Sequence, residues 1–144
     1  MARFAASGKT LATAANSNIL SIRSTATQRA RVLELHLFAE TAVAWVNPAL
    51  FLTTVVDTAG TAVAGQREDS GSGAPTCVVS TIPTGGTLAA VAHRRATIPG
   101  SVGQGIIWIW PDSDPLRVPL SLSMLLRNDG VVGPAITWTI VWDE

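Results

Sequence analysis

The chain has 144 residues, ten basic against ten acidic side chains, one cysteine, and a charged fraction of only 14%. A chain of this length holds one domain with a full core. The cancelled charge speaks against nucleic acid, whose phosphates call for a surplus of positive charge, and a single cysteine excludes an intrachain disulfide.

An ordinary soluble domain carries about 25% charged residues, and the mean hydropathy here is +0.34. A monomer of this composition leaves a weakly solvated surface, which other protein is expected to cover. The longest apolar region, Ala42 to Val56, is interrupted by Asn47-Pro48. It is too short to span about 30 Å of hydrocarbon, so no membrane partner is expected. Nine of the ten basic residues are Arg, which fits fixed multi-donor interface contacts and equally fits a GC-rich genome.

No acidic residue precedes Glu34, and Ser, Thr and Ala surround Arg3, Lys9, Arg23, Arg29 and Arg31. This superficially resembles a transit peptide, whereas no long apolar stretch follows Arg3 as a secretory signal requires. Residues 1–16 are expected to form an N-terminal arm, laid on its own domain or on a neighbouring subunit. Residues 17–144 then form the β domain.

Period-two alternation dominates the rest. Strands are predicted over Ile19 to Thr25 and over Arg31 to Ala39, where Leu33, Leu35 and Leu37 face one way and Glu34 and His36 the other. Ala42 to Val46 and Ala49 to Val56 follow, split by Asn47-Pro48, which cannot continue a central ladder. Asp57-Thr58-Ala59-Gly60 reads as a turn, Thr61 to Gly65 as a short strand, and Gln66 to Pro75 as a loop. Thr76 to Ile82 resumes the sheet before a turn at Pro83-Thr84-Gly85-Gly86.

Thr87 to Arg95 fits a strand or a short helix, and is taken as a strand. Ile106-Ile107-Trp108-Ile109-Trp110 is apolar on both faces, the pattern of a strand buried on both sides: core on one, a partner or covering loop on the other. Pro111 to Pro115 turns the chain. Leu116 to Leu126 alternates as one strand with Ser121 and Ser123 outward, and Asn128-Asp129-Gly130 is a turn. Ala135 to Trp142 sets Ile136, Trp138, Ile140 and Trp142 on one face. About eight to nine strands without βαβ alternation predict an all-β, antiparallel sandwich of jelly-roll-like type.

No catalytic constellation stands out. His36 and His93 have no His or Cys at ligand spacing, and Arg94-Arg95 disfavours a protonated His93. No Gly-x-Ser-x-Gly elbow opens a helix. Gly71 and Gly73 lack the Lys-Ser or Lys-Thr of a phosphate cradle, and Gly100, Gly103 and Gly105 lack the context of a dinucleotide site. Asp112 with Asp114, or Glu68 with Asp69, offers oxygens to calcium, but such residues more often cap turns. Cys77, in the run Thr76-Cys77-Val78-Val79, reads as a small core residue. No cofactor, metal or small-molecule ligand is expected.

Trp108, Trp110, Trp138 and Trp142 sit in strand patterns, where packing is their commoner role. Trp45, before Asn47-Pro48, is the tryptophan expected to reach a surface. Candidate contact residues are Arg3 and Phe4 in the arm, Trp45, the pair Arg94 and Arg95, and Trp108, Trp110 and Trp142. A different reading of the same residues is a carbohydrate- or receptor-binding module that uses Trp45 and loop acids. A tail or connector component is a third.

Several short stretches together resemble small tailed-phage virion proteins of the capsid decoration or minor head type. They are Met1-Ala2-Arg3-Phe4 with Ser7-Gly8; Leu33-Glu34-Leu35 followed by Thr41-Ala42-Val43-Ala44; Thr61 to Cys77, ending in Ala74-Pro75-Thr76-Cys77; Gly105-Ile106-Ile107-Trp108; Val118-Pro119; and Trp138-Thr139-Ile140-Val141-Trp142-Asp143-Glu144. The Pro111 to Pro115 turn is longer, and tryptophan more frequent, than in such proteins. The resemblance implies a non-enzymatic β domain, assembled in the host cytoplasm onto the outer surface of a virion. There it forms a homo-oligomer, a trimer by analogy, with the major capsid protein as partner. It carries over no catalytic residues.

Overall fold

A computed structural model describes residues 1–42, 44–58, 60–68 and 73–144. The protein is all-β, with no helix among the described residues. Its strands are β1 (Arg3–Ala12), β2 (Asn18–Arg23), β3 (Arg31–Ala39), β4 (Pro48–Thr58), β5 (Thr61–Val63), β6 (Gln66–Arg67), β7 (Val78–Thr81), β8 (Thr84–Leu88), β9 (Arg94–Arg95), β10 (Gly105–Ile109), β11 (Leu116–Arg117), β12 (Ser123–Asn128) and β13 (Ala135–Asp143). The count exceeds the predicted eight to nine because β1 and β6 form where an arm and a loop were expected, and because two edge strands are each broken into pieces. β10 and β11 lie in succession along β3, and β8 and β9 in succession along β4.

Two antiparallel sheets result, compatible with a β-sandwich. The six-stranded sheet runs β10-β3-β13-β1-β6, with β11 beside β3; the seven-stranded sheet runs β5-β7-β2-β12-β4-β8, with β9 beside β4. No two strands paired with each other are consecutive in the chain. The core lies between the sheets. Phe4, Leu35, Leu37, Trp138, Ile140 and Trp142 from the first meet Leu20, Ile22, Leu50, Met124 and Leu126 from the second.

The segment expected as an arm is an integral strand. β1 pairs with β13 from Arg3↔Asp143 to Lys9↔Thr137, and with β6 through Phe4↔Arg67 and Ala5↔Gln66. Phe4, Ala6 and Thr10 face inward and are buried. The small residue Gly8 makes room for Trp138: a Cβ there would stand 2.5 Å from the indole.

β3 and β13 follow the predicted alternation with one correction. A bulge between Val141 and Trp142 pairs Trp142 with Val32, so Val32 joins the core cluster in place of Leu33. The predicted strand over Ala42 to Val46 is absent among its described residues. Val46 makes a single bridge to Ile98, and Val43 lies outside the described residues. Leu116 to Leu126 is not one strand. Pro119 supplies no ladder donor, Ser121 takes φ 57°, and the chain turns there. Leu120 is therefore exposed, while Ser123 is buried. Thr84, Gly85 and Gly86 belong to β8 rather than to a turn; both glycines adopt positive φ against Thr58 and Asp57. The strand predicted over Thr87 to Arg95 is interrupted between Leu88 and Arg94.

Asp57, predicted in a turn, is a buried member of β4. Beyond Leu52 the strand leaves β12, shifts register between Thr53 and Val55, and continues only with β8. Its Asp57 carboxylate accepts hydrogen bonds from Ser21 Oγ of β2, at 2.8 Å, and from Ser123 Oγ of β12. The β4–β8 ribbon thus crosses the outer face of the seven-stranded sheet, where Ser21, Ser80, Ser123 and Leu125 are buried.

Candidate interaction surface

The outside of the six-stranded sheet differs from that of the seven-stranded one. Its two middle rows read Ile107-His36-Thr139-Ser7 and Ile109-Glu34-Val141-Ala5 across β10, β3, β13 and β1, and they are flanked by Gly105-Phe38-Thr137-Lys9 on one side and by the charged row Arg117-Arg31-Asp143-Arg3 on the other. Period-two geometry puts these side chains on one face. The side chains of the two middle rows are short or apolar except for the pair His36 and Glu34, whose Nε2 and Oε2 are 2.8 Å apart. Ser7 and Thr139 share a 2.8 Å hydroxyl contact.

This face ends at β10, which has no further strand beside it among the described residues. The expectation that this segment is buried on both sides is corrected for the single chain. Ile106 and Trp108 are half-buried against the core, while Ile107 is 47% and Ile109 66% exposed. The Ala39 N–H donates to Gln104 O and the Trp110 N–H to Leu33 O, each at 2.8 Å. In an antiparallel ladder that phase sends the backbone groups of Ile106 and Trp108 to β3, and those of Gly105, Ile107 and Ile109 outward. No charged residue falls between Arg95 and Asp112. The edge therefore lacks the charges that commonly blunt such strands, and Pro111 comes only after it ends.

A second surface lies at one end of the sandwich. Trp45 is 62% exposed, as the sequence suggests. It lines a depression of about 430 Å³ with Asn16, Asn47, Thr97, Gly130 and Val131. An adjoining one of about 390 Å³ shares Asn47 and Thr97 and adds Arg95, paired there with Asp129. Buried Asn128 organises this end. Its Nδ2 donates to Val131 O at 2.7 Å and Ala14 O at 3.1 Å, and its Oδ1 accepts from the Asn47 N–H. The predicted turn residue Asn128 is therefore the last residue of β12 and a clamp between loops.

The other candidates scatter. Arg94 lies over the Trp110 ring at 5.9 Å, and Arg95 over Phe51 at 5.7 Å. His93 flanks Trp110, and its pKa is lowered by burial and by Arg94. Trp110 is buried, so it presents little surface of its own. Phe4 and Trp142, predicted as contact residues, are enclosed in the core instead. Arg3 bonds Asp143 at 3.0 Å and Asp112 at 3.1 Å, and these bonds, Asp143 first, raise its pKa.

Asp112 is thus engaged by a cation. Asp69 lies outside the described residues, and the Glu68 N–H donates to Arg3 O. Among the described residues, no three His, Cys, Asp or Glu side chains converge as a metal site. Cys77 is buried, and that burial, with nearby Glu144, pushes its thiol up to about 12, so it stays protonated at neutral pH.

No protein-family model matches the chain, and no curated protein or solved structure matches it either.

Proposed function

We propose that the chain is a non-enzymatic structural protein of a phage particle, which decorates and cements the outer capsid surface as an oligomer. The observation that carries the assembly reading is the uncharged, open edge at β10, with Ile107 and Ile109 exposed beside unshared backbone groups. The two middle rows on the outer face of the six-stranded sheet, largely short or apolar, continue it. The phage context rests on the resemblance set out above, as do the trimeric count and the major capsid protein as partner. The mechanism is burial, at about 25 cal/mol per Å² of apolar surface before the costs of association. A weak site repeated over a shell gains by avidity when one oligomer engages several sites.

Purified protein mixed with undecorated phage shells and imaged by electron microscopy tests this. Added density at repeating outer positions supports the proposal; bare shells at saturating protein refute it.

The Trp45 groove favours a second reading, a carbohydrate-binding module. An exposed indole beside Asn16, Asn47 and Thr97 has the mixture of stacking face and amide or hydroxyl groups that sugars use. A glycan array, followed by titration with tryptophan fluorescence, separates it from the first.

A further inference from the structure

We infer that β10 pairs antiparallel with β10 of a second copy of this chain, about a two-fold axis at Ile107, making one continuous sheet of the two six-stranded sheets. The inference deepens the assembly reading and rests on it.

The occupant follows from the strand itself. Gly105, Ile107 and Ile109 direct N–H and C=O away from β3, and a second β10 run in the opposite sense offers the same groups at the same spacing. With Ile107 opposite Ile107, Gly105 falls opposite Ile109 in both halves. The most exposed side chain of the strand thus meets the one position with no side chain. On the inner side, half-buried Ile106 comes opposite half-buried Trp108, closing the open margin of each core. Such a contact is isologous, as a two-fold requires. It brings no like charges together, because the stretch between Arg95 and Asp112 has none.

The pairing has natural limits: Pro111 lacks an N–H just past one end, and Gly103, at φ 78°, turns the chain at the other. A contact of this kind closes a dimer. Where subunits are also gathered into trimers, it ties one trimer to the next.

The test uses the full chain. Ile107→Pro removes an N–H that the subunit's own ladder does not use and that the pairing does. Wild type is expected to sediment at twice the subunit mass at micromolar concentration, and Ile107→Pro at the subunit mass with an unchanged β-type circular dichroism spectrum. Should the proline disturb the fold, Ile107→Cys gives an independent readout. Directly opposed residues of a hydrogen-bonded pair have Cα atoms about 5.5 Å apart, within disulfide reach. Mild oxidation should therefore link Ile107→Cys into a covalent dimer, and leave Val91→Cys, exposed in the connection between β8 and β9, unlinked.

A well-folded Ile107→Pro protein that keeps the wild-type mass overturns the inference, as does an Ile107→Cys protein that links no better than Val91→Cys. Shell binding is scored separately. A monomer that still decorates shells overturns the pairing alone, and a dimer that leaves shells bare overturns the decoration reading alone.

Discussion

Phe4 and Trp142 stack inside the core with ring centroids 5.7 Å apart, directly opposite each other on neighbouring strands. The first strand is therefore bound to the last one by aromatic packing as well as by its ladder. Loss of Met1 to Ala15 should unfold the domain rather than detach it from a partner. The expected result is loss of the cooperative thermal transition. Phe4→Ala alone should cost about 3–5 kcal/mol, read by urea denaturation.

Gly8 and Trp138 face each other on the same pair of strands. A methyl at Gly8 would stand 2.5 Å from the indole, which is itself fully buried. Gly8→Ala should destabilise by about 1–3 kcal/mol through overpacking. A lowered urea midpoint at unchanged slope is the signature.

Asp57 pins the β4–β8 ribbon to β2 and β12 through two serine hydroxyls. Asp57→Ala leaves both hydroxyls buried without that acceptor, at a cost of about 1–3 kcal/mol. Hydrogen exchange should accelerate first in Val78–Thr81 and Thr84–Leu88, the strands that the ribbon covers or contains. Uniform acceleration across both sheets would show that Asp57 acts on global stability instead.

Glu144 receives the Thr76 N–H at 2.5 Å and the Cys77 N–H at 2.9 Å. Its burial alone would raise its pKa, but these bonds, with the Thr76 and Cys77 side chains, hold it below the usual carboxylate value. A depressed carboxyl stabilises the fold above the pKa of the unfolded chain, and this contribution is lost as pH falls through the folded-state value. Glu144→Gln should therefore lower the melting temperature at neutral pH, and its difference from wild type should close on acidification below the ordinary glutamate range. A difference independent of pH would assign the effect to packing.

Strands with enough apolar mass of their own were legible in the sequence. β13 alternates Ile136, Trp138, Ile140 and Trp142 inward without interruption, and β3 departs only at its bulge. β1 was not legible, because Ala6 and Gly8 owe their inward place to Ile140 and Trp138, more than a hundred residues away. Leu116 to Leu126 alternates as well as any true strand, yet Pro119 and Ser121 turn it; local periodicity cannot weigh a turn against a ladder. Asp57 stands beside Thr58-Ala59-Gly60 like a turn aspartate, and only the serines brought by β2 and β12 give its buried carboxylate partners. Of the candidate contacts, Trp45 was readable from the Asn47-Pro48 break that follows it. The open edge was legible only as an apolar run, since which of its faces lacks a cover is a property of the assembled sheets.

Every paired strand finds its neighbour far along the chain, and β1 is flanked by β13 and β6. On the ribosome, β1 must wait, unzipped, until β13 has emerged before its main partner exists. Local hairpins cannot seed such an architecture, so maturation is slow and leaves sticky intermediates. Chaperone assistance, or prompt capture by finished subunits, is then expected to raise the yield of crowded synthesis.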